Sequence, residues 1–127
     1  VNASAPFLLS RAMIPLLRKS DDASMIFTSS GVGRQARAYW GAYAVSKFAV
    51  EGLAQLLADE LDDERNNIRV NSLNPGATRT GMRLLAYPAE DPKKNPEPEA
   101  LMPVYLYLMG KDSRGVNGQQ IDAQPKK

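Results

Sequence analysis

Three residues of this sequence have the types and the spacing for proton transfer at a substrate oxygen. Tyr43 follows Ser30 after twelve intervening residues, and Lys47 follows Tyr43 after three more. Residues four apart on a helix share one face, so the phenol and the amine are predicted to lie side by side. An ammonium beside a phenol favours the phenolate and lowers the phenol's pKa. Tyr43 is therefore the candidate general acid and base for an alcohol–carbonyl pair, with Ser30 as a hydrogen-bond partner of the same oxygen.

The Tyr–Lys spacing alone is not specific, because it occurs a second time at Tyr107 and Lys111. In that copy Lys94, and not a serine, stands thirteen residues upstream of the tyrosine. Tyr107 also lies at the end of an apolar segment just before Gly110, which is typical of a packing residue. The chemistry is therefore assigned to Tyr43.

Histidine and cysteine are both absent from the 127 residues of the chain. Within this chain their absence excludes a Ser-His-Asp triad, a cysteine nucleophile and a His- or Cys-ligated zinc site, so no metal site is predicted. The lack of cysteine also excludes a disulfide framework and is typical of a reducing compartment, which predicts a cytoplasmic location. Acid–base chemistry built on tyrosine, lysine and serine is one of the few chemistries left.

Composition narrows the remaining classes of function. A chain of 127 residues forms one domain at most, and 43% hydrophobic with 24% charged residues is ordinary for a globular protein. The net charge is +2 and the basic residues are scattered, so no nucleic-acid partner is predicted. No apolar run approaches the roughly 18 residues of a membrane span, so no membrane partner is predicted either.

Helical and strand patterns alternate along the chain, which is typical of an α/β fold with a parallel sheet covered by helices on both faces. In the clearest helix one apolar stripe runs from Val45 to Leu61. Three strands make a poor sheet by themselves, and the first is expected to leave an edge open for pairing with further strands. The predicted elements are helices over residues 2–19, 42–61 and 98–109 and strands over residues 24–29, 68–73 and 119–123.

Residues 81–97 are predicted to be the only long irregular segment, because Pro88, Pro92 and Pro96 alternate with charged residues. The segment is either a tolerated insertion or a mobile lid over the site. Long loops beside active sites often act as lids.

The sequence Gly31-Val-Gly33-Arg-Gln-Ala36 matches the dinucleotide fingerprint G-x-G-x-x-A. That fingerprint also requires a helix that opens on the glycines and an acidic residue about 20 positions later at a strand end. No helix start follows Gly33, and Glu51 lies in the middle of a predicted helix. The match is therefore rejected, and the glycines are expected to let the loop turn past a substrate pocket.

Four segments, in this order, resemble the short-chain dehydrogenase/reductase family over essentially the whole chain. One holds Val1-Asn2 and the following helix, the next ends in Ser30, the third holds Tyr43 and Lys47, and the last contains a Pro-Gly turn. The residues of several segments most resemble those of an uncharacterised bacterial branch of the family. The four segments are residues 1–16, 24–31, 41–47 and 68–80.

The resemblance implies that the chain is part of a doubly wound parallel-sheet Rossmann fold. Residues 1–127 would form the C-terminal half of a single domain, since the Gly-rich phosphate loop of the family is not in this sequence. The implied activity is that of an NAD- or NADP-dependent oxidoreductase acting on a small-molecule alcohol or carbonyl. The family's subunit contacts imply a homodimer or homotetramer through the helices 2–19 and 42–61. For residues 81–97 the family resemblance implies a lid.

The resemblance also implies roles for individual residues. Asn2 would be a fourth catalytic residue that holds a water linking Lys47 to solvent. Lys47 would hydrogen-bond the nicotinamide ribose, so Tyr43 and Lys47 count among the cofactor-binding residues. The family usually has an aliphatic residue where Thr78 stands, a change that a backbone contact would survive. The remaining residues implied at the nicotinamide end of the cofactor are Pro75, Gly76, Thr78 and Thr80.

Other features leave alternatives open. The C-terminal sequence Asp122-Ala123-Gln124 replaces the family's usual Asp-Gly-Gly, so any cofactor or interface contact there is in doubt. Tyr39 and Trp40 would line the pocket or pack against a neighbouring subunit. The loop arginines favour either an anionic substrate or, as we prefer, simple solvation; they are Arg34, Arg37, Arg79 and Arg83.

Two other functions compete with the dehydrogenase. A chain of this fold can persist as a catalytically silent binding or scaffold protein, although all four catalytic positions are filled here. A hydrolase is the second alternative and would need Lys47 to activate Ser30. Tyr43, placed between them in sequence, makes that less economical.

Overall fold

The computed structural model describes residues 1–64 and 67–125, in which helices and strands alternate along the chain. The predicted helices and strands are confirmed, with bounds that shift by a few residues. The helices are α1 (Ser4–Leu17), α2 (Gly41–Glu60), α3 (Gly81–Ala86) and α4 (Met102–Met109), and the strands are β1 (Ala23–Thr28), β2 (Ile68–Asn74) and β3 (Gln120–Asp122).

The three strands form one parallel sheet in the order β1–β2–β3. Because the strands are parallel, their carboxyl ends meet at one edge of the sheet, where the loops that follow them come together. β2 is central, and all of its residues except the last are buried. In register, Ala23 lies opposite Ile68, Thr28 opposite Leu73, Ser72 opposite Gln120, and Asn74 opposite Asp122.

The two faces of β1 contact different helices. Ala23 and Phe27 pack with α2 in the apolar core. Ser24, on the other face, donates a hydrogen bond to the carbonyl oxygen of Leu108 in α4 at 2.7 Å. Since successive side chains of a strand point to opposite faces, helices cover both sides of the sheet. This arrangement confirms the α/β prediction.

The apolar stripe predicted on α2 is only partly buried. Leu57 and Leu61 lie in the core, whereas Val45 and Phe48 are 70% and 44% exposed. Small residues such as Ala54 occupy the side of the helix that faces the sheet, because they let the helix approach the strands closely. Only part of the apolar stripe therefore faces the core of the described residues.

The prediction that residues 81–97 are irregular was wrong for residues 81–86 and 92–94, whereas residues 87–91 and 95–97 have no helix or strand. The segment contains α3 and a 3-10 turn over Pro92–Lys94. The Thr80 side chain accepts a hydrogen bond from the Arg83 N–H at 3.1 Å and caps α3, and Asp91 accepts one from the Lys93 N–H at 3.0 Å. Thr80 and Asp91 are therefore the N-cap residues at which α3 and the 3-10 turn begin. The neighbouring prolines obscured this signal in the sequence.

The segment predicted as a helix over residues 98–109 starts as a 3-10 turn, Pro98–Leu101, and continues as α4. It ends at Gly110, as predicted. Within residues 1–64 and 67–125, no helix combines the length and the apolar character needed to cross a bilayer.

Candidate active site

Ser30 lies where β1 ends. The Ser29 N–H donates to the Leu73 carbonyl oxygen at 2.8 Å, so pairing with β2 continues up to the residue before Ser30. Ser30 itself is extended, with φ −155° and ψ 157°, and half-buried. Its carbonyl accepts from the Gly33 N–H at 2.9 Å, which forms the 3-10 turn Gly31–Gly33. The predicted serine is thus at the carboxyl edge of the sheet.

The first turns of α2 bring Tyr43 and Lys47 together. The Lys47 Nζ lies 5.7 Å from the centre of the Tyr43 ring, on the same side of the helix. It also donates a hydrogen bond to the Thr28 carbonyl oxygen at 3.0 Å. Thr28 is the last residue of β1 and stands two positions before Ser30. One amine therefore joins the tyrosine's helix to the strand that leads to the serine.

The loop after Ser30 packs directly on α2. A Cβ atom on Gly33 would lie 2.8 Å from the Lys47 carbonyl oxygen, so this position has room only for glycine. The rejection of the dinucleotide fingerprint is supported, because a 3-10 turn and not a long helix opens on Gly31. The glycines were expected only to let the loop turn. Gly33 also lets the loop pack directly against α2. Burial beside this loop lowers the pKa of the Lys47 amine from its ordinary value.

Asn2 approaches the same helix from the start of the chain. Its Nδ2 lies 3.5 Å from the Ser46 Oγ, a long hydrogen bond. The Ser46 hydroxyl in turn donates to the Tyr43 carbonyl oxygen at 2.7 Å. The structure thus brings Asn2 to the helical turn that separates Tyr43 from Lys47. Ser46, which connects them, was not predicted.

The Pro-Gly turn follows β2 and has a defined shape. Asn74 Oδ1 accepts from the Gly76 N–H at 3.0 Å, and Gly76 has a φ of +75°, which favours glycine. The Thr78 hydroxyl donates to the Gly76 carbonyl oxygen at 3.0 Å. Thr80 is occupied as the cap of α3 and keeps its hydroxyl proton for another acceptor. The loop that contains Pro75 is therefore ordered by its own side chains.

A buried carboxylate that the sequence did not single out connects these loops. Glu51, on α2, is 3% exposed and accepts hydrogen bonds from Arg34 Nε at 3.1 Å and from Ser72 Oγ at 2.7 Å. Arg34 also donates to Asp122 Oδ1 at 2.9 Å and to the Ile121 carbonyl oxygen at 3.1 Å. Burial tends to raise the pKa of Glu51, but the hydrogen bonds from Ser72 and Arg34 hold it below its ordinary value.

The loop arginines pair within the chain. Arg79 donates to Glu97 at 2.7 Å, and Arg83 donates to Glu90 at 2.7 Å while its guanidinium lies 3.8 Å from the centre of the Tyr87 ring. With Arg34 on Glu51, three of the four arginines have carboxylate partners. The preferred expectation of simple solvation was therefore wrong for Arg34, Arg79 and Arg83, whose guanidinium groups hold carboxylates of the chain itself.

Aromatic rings connect the segment after the Pro-Gly turn to α2. The Trp40 ring lies 5.8 Å from the Tyr43 ring and 6.3 Å from the Tyr87 ring, measured between centroids. Tyr39, by contrast, is fully exposed and has a φ of +68°. Trp40 thus lies between the predicted acid–base residue and the end of α3.

A family model described as short chain dehydrogenase matches residues 1–90. The chain belongs to the short-chain dehydrogenase family. The matched part includes the strand end, the helix and the Pro-Gly turn described above. Family membership confirms the resemblance predicted from the sequence.

The relatives of this short-chain dehydrogenase chain include solved structures. The uncharacterized oxidoreductase YciK of Escherichia coli K12 is 58% identical over 125 residues, covering 98% of this chain and 48% of that protein. A short chain dehydrogenase from Salmonella enterica serovar Typhi CT18 is 58% identical, with a TM-score of 0.94 over 98% of this chain and 51% of its own. The likeness to YciK confirms the predicted bacterial branch.

A third relative carries a bound nucleotide. A candidate short chain dehydrogenase from Escherichia coli CFT073, solved in complex with NADPH, is 58% identical, with a TM-score of 0.93 over 98% of this chain and 51% of its own. These structures confirm that the three-stranded sheet belongs to the predicted Rossmann-type fold. The chain spans about half the length of the relatives it matches.

Proposed function

We propose that this chain is the C-terminal half of an oxidoreductase that interconverts a small-molecule alcohol and a carbonyl with NAD or NADP. The observation that carries the proposal is the position of the Lys47 amine. It lies beside the Tyr43 ring and hydrogen-bonds Thr28, two residues before Ser30. A phenol, a neighbouring amine and a hydroxyl at one edge of the sheet are the groups that proton transfer at a substrate oxygen requires.

The residues at this edge fit a nicotinamide cofactor. Lys47 and Tyr43 offer an amine and a phenol, and the Pro-Gly turn offers peptide groups in a conformation that Asn74 holds through the Gly76 N–H. When bound, the nicotinamide supplies or accepts the hydride. The NADPH complex of the Escherichia coli CFT073 relative supports NADP as the cofactor of this protein.

The chain's own residues would move the proton. In the reductive direction Tyr43 donates the phenolic proton to the carbonyl oxygen of the substrate, and in the oxidative direction it takes that proton back. The Lys47 ammonium stabilises the phenolate that remains. Ser30 donates a hydrogen bond to the same oxygen and fixes its position. Asn2, which reaches α2 through Ser46, holds the water that restores the proton.

The remainder of the enzyme would complete the sheet and the site. β1 is an edge strand among the described strands, and it offers an unpaired edge to the half that binds the adenosine and the diphosphate. Exposed apolar side chains on α1 and α2, among them Phe7, Leu8 and Val45, suit a homodimer or homotetramer contact. We propose a cytoplasmic location on the absence of cysteine.

The proposed acid–base role is tested with Tyr43→Phe in the full-length protein that contains this chain. The change removes only the hydroxyl, so the rate of ketone and aldehyde reduction with NADPH should fall by at least about 100-fold, because a general acid contributes roughly that much. NADPH should still bind, since Lys47 and the Pro-Gly turn are unchanged. Turnover is followed by NADPH absorbance and cofactor binding by fluorescence titration.

Tyr107→Phe is the matched control, because Tyr107 has the same spacing to a lysine but lies on α4. Its activity should equal that of the unchanged protein. Equal activity of the Tyr43→Phe variant would refute the proposed acid. NADPH binding without turnover in every protein would favour a silent binding or scaffold protein. Substrate cleavage without a nicotinamide would favour a hydrolase that uses Ser30 and Lys47.

A further inference from the structure

The side chain of Gln124, just after β3, contacts the Pro-Gly turn. Its Nε2 donates to the Pro75 carbonyl oxygen at 2.9 Å and to the Ala77 carbonyl oxygen at 2.7 Å. An amide nitrogen has two protons, so one side chain can satisfy both acceptors. The two carbonyls flank Gly76, the residue with positive φ. Gln124 therefore bridges the turn from one side to the other.

The same turn is held from a second direction. Asn74 Oδ1 accepts from the Gly76 N–H at 3.0 Å, and Asn74 Nδ2 donates to Asp122 Oδ1 at 3.0 Å. Asp122 also accepts from Arg34, in the loop after Ser30. The peptide groups on both sides of Gly76 thus have partners. One is Asn74 at the end of β2, which Asp122 of β3 holds in turn, and the other is Gln124, which follows β3.

The fit between Gln124 and Gly76 is close. A Cβ atom on Gly76 would lie 2.9 Å from the Gln124 Nε2. The glutamine amide therefore occupies the space that any side chain at position 76 would need. The family resemblance implies glycine at position 124, and a glycine there has no group that could reach the two carbonyls.

We propose that Gln124 is a positioning residue for the nicotinamide end of the cofactor. It acts through the Pro-Gly turn, because it fixes the Pro75 and Ala77 carbonyls and so presets the backbone that continues to Thr78. A turn fixed before binding loses less conformational entropy when the cofactor binds, which strengthens binding. The inference rests on the proposed function, in which this turn contacts the nicotinamide.

The test compares Gln124→Ala with the unchanged full-length protein. Loss of two hydrogen bonds should raise the Kd for NADPH about tenfold, from the usual worth of such bonds. Because the group acts on binding, KM for NADPH should rise more than kcat falls. Gln124→Asn keeps both donors on a shorter side chain and should recover part of the affinity. Fluorescence titration measures Kd, and thermal unfolding measures Tm.

Gln119→Ala is the matched control. Gln119 directly precedes β3, and its side chain donates to the Asn117 carbonyl oxygen, away from the Pro-Gly turn. It should leave Kd unchanged. An unchanged Kd in Gln124→Ala, or a lower Tm with an unchanged Kd, would overturn the inference. Should the alanine variant fail to fold, Gln124→Met keeps the length of the side chain, removes the donors without adding a charge and gives the same comparison. Failure of the unchanged protein to bind either NADPH or NADH would refute the proposed function instead.

Discussion

Gly33 is the residue at which the serine loop and the tyrosine's helix come closest. The backbone of Lys47 fills the space that a side chain at position 33 would occupy, with 2.8 Å from the expected Cβ to the Lys47 carbonyl oxygen. Backbone atoms cannot rotate away as a flexible side chain does. The contact therefore leaves no space for a Cβ atom at position 33. The distance between Ser30 and the helix that carries Tyr43 thus depends on the lack of one methyl group.

Gly33→Ala should lower the free energy of unfolding by about 1–3 kcal/mol, the usual cost of overpacking. It should also lower kcat, since the loop must move away from α2 and takes Ser30 with it. Urea denaturation and steady-state rates of the full-length protein provide the two measurements.

Gly52→Ala gives the comparison for this residue. Gly52 lies within α2, and a Cβ there would meet nothing within 4 Å. Alanine should raise the free energy of unfolding by about 0.5–1 kcal/mol, because it favours the helix. The packing argument fails if the two alanine variants behave alike.

At the scale of elements, α3 and the turn after it form a folded segment that is attached to α2 by rings. Arg83 pairs with Glu90 and lies over Tyr87, which tightens the segment internally. The contact between Tyr87 and Trp40 then connects it to the start of the tyrosine's helix. The segment fits a lid with a preformed structure better than a tolerated insertion, so the lid remains our prediction.

Trp40→Ala should loosen this segment. Loss of the ring contacts removes about 1 kcal/mol of aromatic interaction, so tryptic cleavage after Lys93 and Lys94 should accelerate about fivefold through local opening. Mass spectrometry of timed digests locates and times the cuts. Tyr39→Ala, which removes a neighbouring but fully exposed ring, should leave the cleavage rate unchanged. Equal rates in both variants would contradict the attachment through Trp40.

At the scale of the whole molecule, Glu51 joins elements that are far apart in sequence. Its carboxylate accepts from Arg34 in the serine loop, from Ser72 in β2 and from Gln120 in β3. The hydrogen bonds hold its pKa below the ordinary value despite burial. A carboxyl group whose pKa falls on folding stabilises the protein above its unfolded-state pKa, and this stabilisation is lost as the pH falls through the folded-state value.

Glu51→Gln should lower the free energy of unfolding by about 2 kcal/mol at pH 7, since Arg34 and Ser72 lose a charged partner. The difference from the unchanged protein should begin to shrink below the ordinary pKa of a glutamate, because the unfolded state then binds a proton that the native carboxylate does not. The loss is complete only below the folded-state pKa, where the native group is neutral like the amide. Urea denaturation at pH 7 and at pH 3.5 measures the difference. A gap of the same size at both values would contradict the role of the charge.

Glu60→Gln makes the same chemical change at an exposed position of α2. It should alter the free energy of unfolding by no more than about 0.5 kcal/mol, as is usual for surface substitutions. A loss equal to that of Glu51→Gln would assign the effect to total charge and not to the buried network.

Short-range patterns determined much of this protein. The alternation of apolar segments was enough for the α/β fold, and a spacing of four residues was enough to place Tyr43 beside Lys47, because both depend on the regular geometry of one element. Capping in residues 81–97 was also local, but the prolines concealed it.

Only the tertiary structure decided which distant groups meet. Arg34 and Asp122 are 88 residues apart, and Gln124 lies 47 residues from Ala77, yet each pair is within hydrogen-bond distance. Such contacts arise because parallel strands bring their carboxyl ends, and the loops after them, to one edge of the sheet. No periodicity in the sequence predicts contacts over such distances along the chain. The sequence therefore determined the chemical groups of the site, and the sheet determined which groups hold them in place.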